Sequence, residues 1–331
     1  MSAWAQWTTV SSLSLPRQET AAAIIGDVVY VCGGIISGSP TTNTATVEAY
    51  NIVTDTWTTV APMPLALDHA AAAAVNGKLY LTGGDTRSGG VGTRRDEVHI
   101  YDPGTDTWSA GTALPQTRSE HGAVTLNGKI YVMGGLWPFL WEFDPGTDNW
   151  TWLASMTESR EHINVVTDGT YIYAIGGRDN FVATSINERY DPGTDTWTTM
   201  APLPTARSAM AMAYVGGEVH CIGGEIPMLF DVHEVYDIAT NTWSTRGAMP
   251  LPRHGVAAVT VPSGLIFVPA GGTFQGVGPT AHADVYGQLP LAVPAMSNTM
   301  LPLLGIIAIA LSLVTILRRK HARITQTLTT Q

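Results

Sequence analysis

The octapeptide Tyr-Asp-Pro-Gly-Thr-Asp-Thr-Trp stands at Tyr101–Trp108 and returns unaltered at Tyr190–Trp197. Degraded copies occupy Tyr50–Trp57, Phe143–Trp150 and Tyr236–Trp243. Two further markers keep register with it. Glycine pairs stand at Gly33-Gly34, Gly83-Gly84, Gly134-Gly135, Gly176-Gly177, Gly223-Gly224 and Gly271-Gly272. A tryptophan precedes each pair (Trp7, Trp57, Trp108, Trp150, Trp197, Trp243), 26 residues ahead of the first glycine in five units and 28 in the last. Ten residues after each tryptophan comes Arg17, Leu67, Arg118, Arg160, Arg207 or Arg253. Such a period confines the chain to repeated units that each need a neighbour to bury a face.

Each unit reads as four strands. A small, apolar stretch follows the arginine position (Ala70–Val75, His121–Leu126, Ala209–Val215), suited to an innermost strand with little room. A tight turn comes next, such as Asn76-Gly77 or Asn127-Gly128, where positive φ is cheap. The second strand runs into the glycine pair, which marks close backbone approach or a conformation that a Cβ forbids. The third carries acid-x-aromatic at Glu48, Glu188, Glu234 and Asp284. The octapeptide is then the outer hairpin, with proline presetting φ and glycine expected at the positive-φ position. Only 13% of residues are charged, poor material for surface helices.

Four-stranded units at this spacing point to a β-propeller. The glycine pair, the tyrosine seven residues before a tryptophan and the arginine ten after it resemble the kelch repeat, over residues 4–287. The resemblance implies an all-β, six-bladed kelch propeller. The sixth unit ends at Tyr286 with Val293 where its tryptophan should be, and the first begins with an outer strand at Trp7. The segment Gln6–Val10 is therefore expected to complete the sixth blade and close the ring, which removes exposed sheet edges.

The same likeness extends to galactose oxidase-like propellers, which use copper with tyrosine, histidine and a Tyr-Cys crosslink. Cys32 and Cys221 both stand in strands beside glycine pairs, so that match fails and no cofactor is expected. They fall in non-neighbouring blades, which argues against a disulfide and for two small buried hydrophobes. Periplasmic sialic-acid epimerases also have six kelch blades, but none of their catalytic motifs can be placed on this sequence.

Beyond Tyr286 the repeat stops. Residues 288–300 read as a Pro/Ser linker, 301–317 (LPLLGIIAIALSLVTIL) as a transmembrane helix and 318–331 as a basic cytoplasmic tail. Val293-Pro294, Ser297, the apolar stretch and Arg318-Arg319 resemble bacterial C-terminal protein-sorting signals of the Ile-Pro-Thr-Leu type, with Ala295 and Met296 departing from it. That resemblance implies a cell-surface or envelope location, the propeller outside the cytoplasm, and a sorting protease as one partner. Export calls for an N-terminal signal that MSAWAQWTTVSSLSLPR lacks, so a longer precursor is expected.

The net charge of −10, with no basic stripe in the propeller, excludes nucleic acid as a partner. The loops from fourth strand to first and from second to third should emerge on one face. There Arg17, Arg118, Arg160, Arg207 and Arg253 are expected around the channel mouth, either as ligand-binding groups or as staples paired with the third-strand acids. His121, His162 and Trp137 complete the candidate binding set, and the tryptophans are expected as core packing. His69, His121 and His162 stand two, three and two residues past the arginine position, a mixed phase that argues against convergence on a metal. The Asp residues of the octapeptide read as turn formers rather than calcium ligands. No P-loop, dinucleotide fingerprint or nucleophile elbow is present. The favoured function is a binding module for protein or glycan through the loop-rich face; the alternative is a carbohydrate-acting enzyme of the epimerase kind.

Overall fold

The computed structural model describes residues 6–38 and 40–287. Among them, six four-stranded antiparallel sheets follow one another around an axis. Blade one comprises Ala21–Ile25, Val28–Cys32, Val47–Asn51 and Thr56–Val60, and blade two Ala71–Val75, Lys78–Thr82, Val98–Asp102 and Thr107–Gly111. Blade three runs through His121–Leu126, Lys129–Gly134, Leu140–Asp144 and Asn149–Leu153, and blade four through Asn164–Thr167, Ile172–Ile175, Asn187–Asp191 and Thr196–Thr199. Blade five holds Ala211–Val215, Glu218–Ile222, His233–Asp237 and Thr242–Thr245. Blade six takes Val259–Thr260, Ile266–Pro269 and Ala283–Gly287, and its outer strand is Gln6–Thr9. Trp7 stands opposite Tyr286, so the ring is sealed by its own N-terminal end. Consecutive blades touch through their first strands, which makes those strands innermost.

The octapeptide proves to be an inter-blade latch as well as a turn. Each tyrosine faces its tryptophan across the outer strand pair, as Tyr101 faces Trp108 and Tyr190 faces Trp197. The tyrosine hydroxyl donates to the second Asp or Asn of the turn at 2.7 Å in blades one, two, four and five (Asp55, Asp106, Asp195, Asn241). That same oxygen accepts a backbone N–H from the preceding blade, 2.8–2.9 Å from Ser11, Ala61, Ala154 and Ala201. The expected positive-φ residue was the turn glycine, and this is corrected. Asp106 and Asp195 take φ of 52°, while Gly104 and Gly193 only donate their N–H to Asp102 and Asp191. An aspartate tolerates that conformation, and there its carboxylate can reach the neighbouring sheet.

The six tryptophans are half-buried, and each packs against a buried apolar cluster. Each indole N–H donates 2.7–3.0 Å to a backbone carbonyl of the blade before it: Trp57 to Ser11, Trp108 to Ala61, Trp150 to Thr112, Trp197 to Ala154, Trp243 to Ala201 and Trp7 to Gly247.

The glycine pairs bind blade to blade on the inner side. The second glycine donates its N–H to the carbonyl at the arginine position of the next blade, 2.7–3.1 Å from Gly34 to Leu67, Gly84 to Arg118, Gly135 to Arg160, Gly177 to Arg207 and Gly224 to Arg253. A Cβ on Gly33 would lie 2.3 Å from the Leu67 oxygen. Blade six departs from the sequence alignment by one residue. Gly271 makes the bond to Arg17, and Ala270 takes the left-handed conformation before it, so Ala270-Gly271 replaces Gly271-Gly272 as the pair.

Cys32 and Cys221 are free and buried, and burial pushes both thiols up to about 12. Among the described residues no helix is long and apolar enough to cross a membrane. The linker, the helix at 301–317, the basic tail and the sorting residues Val293, Pro294, Ser297, Arg318 and Arg319 lie outside the described residues.

Candidate functional site

The repeated arginines do not ring the channel mouth. All five are buried, with at most 1% of their surface exposed, and turn into their own blades. Arg17 donates to the carbonyls of Gly33 and Thr46 and pairs with Glu48 at 2.7 Å. Arg160 does the same with Gly176, Ile186 and Glu188, and Arg253 with Ala270, His282 and Asp284, each pair at 2.6 Å. Arg207 pairs with Glu234 and donates to Cys221 and Gly223. The guanidinium fork thus joins second strand, third strand and the loop between them, which uses its fixed donor geometry. Blade three is the exception. Trp141 stands where the acid should be, and Arg118 reaches only the Phe139 carbonyl at 3.0 Å. Its Nη2 is buried without a partner, and burial draws its pKa down to about 10.

What rings the axis is the residue two beyond the arginine position: Glu19, His69, Glu120, His162, Ala209 and Gly255. All six take left-handed φ, between 48° and 60°. Their backbones are chained by hydrogen bonds from Glu19 to Gly255, His69 to Glu19, Glu120 to His69, Ala209 to His162 and Gly255 to Ala209. The conformation swings four polar side chains inward as a collar. The histidines were expected not to converge, and this too is corrected: His69 and His162 share one phase, and their rings lie 5.0 Å apart. His121 does not join them. It bonds Thr82 of the preceding blade at 2.9 Å, and burial together with Arg118 pushes it down to about 3.

The collar is heavily charged for so enclosed a place. Burial opposes protonation of His69, yet Glu19, Asp68 and Glu120 overrule it and hold the imidazole up to about 9. His69 Nε2 lies 3.4 Å from Glu19 Oε2, its Nδ1 bonds Asp68, and Asp68 is gripped by Arg87 at 2.6 and 2.8 Å. Burial and the neighbouring Glu161 carboxyl push Glu120 up to about 8. Behind His162, Arg178 donates to Glu161 and Glu225 at 2.9 Å each and lies 3.1 Å from His162 Nε2. His162 itself stays neutral, pushed well down by burial and by the cations His69 and Arg178.

Along the axis the collar opens into a cavity of about 60 Å³, then an alanine-lined neck of about 90 Å³. The far mouth, about 460 Å³, is lined by residues such as Ala73, Val124, Val166 and Val259. The volume large enough for a sugar holds no carboxylate, imidazole or amine, and the cavity that holds them is too small for one.

The loops between second and third strands stand over the collar. Three fold into small hairpins: Ile35–Gly38 with Thr41–Asn43, Asp85–Ser88 with Val91–Arg94, and Arg178–Asp179 with Val182–Ala183. Of the nine large apolar side chains exposed among the described residues, seven sit in these loops. Val91 belongs to blade two, Trp137 to blade three, Phe181 and Val182 to blade four, Met228 to blade five, Phe274 and Val277 to blade six. Trp137 stacks on Phe139 at 5.9 Å, and Phe139 meets the exposed Trp152 edge-on. Phe181 is 73% exposed and takes φ of 64°, a position where the turn favours glycine or asparagine.

Of the residues expected at a site, His162 reaches the collar, His121 lines the cavity behind it and Trp137 crowns the loop face; the five arginines serve the blades. Glu19 and Glu120 went unread, although counting two residues past each arginine position would have found them. The apolar loop tips carry no repeat signal.

This architecture is that of a six-bladed β-propeller built of kelch repeats. Residues 1–135 match the KLHDC2/KLHL20/DRC7 Kelch-repeats domain, and residues 117–157 and 159–204 match models of the Kelch motif. Kelch-like protein terF of Aspergillus terreus (strain NIH 2624 / FGSC A1156) is 33% identical over 145 residues. That match takes in 40% of this chain and spans about a third of the relative's length, 31%. The solved structure of YjhT is similar with a TM-score of 0.74 at 18% identity, over 85% of this chain and 99% of that one, a likeness of fold alone.

Proposed function

We propose that the propeller is a binding module for a protein partner, taken up on the face that carries the loops between second and third strands. The observation behind this reading is the crown of exposed apolar side chains at the loop tips of five blades, set around a charged centre. Exposed apolar side chains gathered on one face, with Trp137, Phe139 and Trp152 in contact there, are what an interaction site presents, and recognition resides in loops held by a rigid scaffold. Phe181 supports it further: it is an aromatic residue held at positive φ with most of its surface in solvent, one face of its ring meeting the Arg178 guanidinium at 5.0 Å. Kelch propellers generally bind proteins, which agrees. The division of the channel weighs against a carbohydrate-acting enzyme, because the acid–base groups and the roomy cavity lie at opposite ends.

The tail supplies a location for the same reading. An apolar run at Leu301–Leu317 followed by Arg318 and Arg319 supports an envelope anchor with the propeller outside, and Val293-Pro294 and Ser297 would be what a sorting protease reads.

Crosslinking in cells that produce the full chain tests the binding face. The triple substitution F181S/V182S/F274S should abolish the protein crosslinks of the wild type, while V53S, exposed at the opposite end, should keep them. A glycan-array signal from the full chain that W137A removes would instead replace the protein partner by a sugar.

A further inference from the structure

We infer that the collar is a binding site for a zinc-class divalent cation, with Glu19, His69 and His162 as its ligands. One ligand atom from each of the three lies within 4.8 Å of the others. His69 Nε2 and Glu19 Oε2 are 3.4 Å apart. Two ligands at zinc distances of about 2.0–2.1 Å from one tetrahedral ion stand about 3.3 Å apart, so this pair needs almost no movement. Imidazole nitrogen with one carboxylate suits zinc and its transition-metal neighbours, not calcium or magnesium.

The supporting shell fits the same purpose. His69 Nδ1 is bonded to Asp68, which leaves Nε2 turned toward Glu19, and Arg87 grips Asp68 through two donors. A carboxylate that orients the far nitrogen of a ligating histidine is a recurrent second shell of metal sites. Independently, His162 Nδ1 is buried without a hydrogen bond; its side chain is 5% exposed, and Glu120 and Glu161 each lie 3.9 Å away. The contact that opposes loading is Arg178, which faces His162 Nε2 at 3.1 Å. On loading, His69 gives up its Nε2 proton to solvent, His162 carries its proton on Nε2, and Arg178 withdraws onto Glu161 and Glu225, which it already holds. Room for the ion comes from blades five and six, where the collar position is Ala209 and Gly255. Glu19 extends across that gap, since a Cβ on Gly255 would meet its carboxylate at 2.2 Å. The ion would tie blades one, two and four across the axis. This inference rests on the collar alone and does not depend on the loop-face reading.

The test is titration of the full chain, freed of metal with a chelator, by Zn²⁺ in a calorimeter and by Co²⁺ in a spectrophotometer. One equivalent of zinc should bind, thermal stability should rise with it, and cobalt should give the intense visible bands of a four- or five-coordinate site. H69A and H162A should each weaken binding by at least about 100-fold, and D68N by about 10- to 100-fold. Both alanine variants copy Ala209, which stands at the same left-handed position in blade five, and the isosteric E19Q repeats the reading should either fail to fold. H99Q, outside the collar, should bind as the wild type does. Absence of saturable binding at one equivalent, or binding that survives in H69A and H162A alike, would overturn the assignment.

Discussion

Blades three and four differ at a few repeat positions and behave as two answers to one packing problem. In blade four Arg160 meets Glu188 at 2.6 Å, Ile163 follows it, and Tyr190 latches to Asp195. In blade three the acid is Trp141, the apolar residue is His121 and the tyrosine is Phe143. Arg118 is left with a single hydrogen bond, and a second basic group lies buried beside it. Blade two shows the consistent way to lose the staple: Leu67 replaces the arginine and His99 the acid together. The comparison teaches that the repeated arginine is a paired device. Removing both halves is tolerated, whereas removing one leaves a buried donor without a partner, the costlier state.

Acid should expose this difference most. Burial holds His121 down to about 3, and likewise His220 to about 4 and His233 to about 3 beside the Trp7 closure. The unfolded chain takes up protons at these groups below about pH 6.5 while the fold refuses them. Stability is therefore full above that pH and falls as pH drops from about 6.5 toward 3. Urea denaturation as a function of pH should show this limb, and H121L, which puts an apolar side chain where blade four has Ile163, should make it shallower. An acid limb unchanged by H121L would mean that blade three is not under the strain described.

Next in size is the intact staple. R160L leaves Glu188 buried and unpaired and should cost about 3–5 kcal/mol in denaturant unfolding, whereas R118L should change stability by less than about 1 kcal/mol, because the guanidinium it removes lacks its pair. Equal losses at the two sites would break the comparison. Restoring the acid gives a smaller effect. A double-mutant cycle of R118L with W141E should return a favourable coupling of about 1.5–3 kcal/mol, the range of a hydrogen bond to a charged group. The smallest change belongs to the outer latch. Y190F should lose about 1 kcal/mol and F143Y should gain no more than that, since Asp148 already holds the left-handed conformation of the other latch aspartates.

Much of the fold was legible because its devices repeat. Six tryptophans, five arginines and the octapeptide recur at fixed offsets, and the surplus strand at Trp7 announced the closure that the pairing with Tyr286 displays. Individual roles were less legible. Which turn residue takes positive φ depends on a hydrogen bond from the preceding blade, so Asp106 and not Gly104 holds it, and nothing within the octapeptide shows that neighbour. The direction of the arginines stayed open between ligand-binding groups and staples paired with the third-strand acids, and the staple is what four blades show. A fixed offset says that a side chain recurs, and only the third-strand acid beside it says whether it points to the channel or into the sheet.

The candidate site divides along the same line. Glu19, His69, Glu120 and His162 are far apart in the chain, joined only by their shared offset of two residues past the arginine position. They meet because the ring brings one backbone position of every blade to the axis in a left-handed conformation. By itself, then, the sequence determined the number of blades, their strand order and the seam, since those follow from periodic local propensities that repetition amplifies. The tertiary structure alone decided the charged collar, the inward burial of the arginines and the gathering of apolar loop tips on one face. The physical reason is that convergence around an axis is a relation between blades, and each blade's own residues encode only one sixth of it.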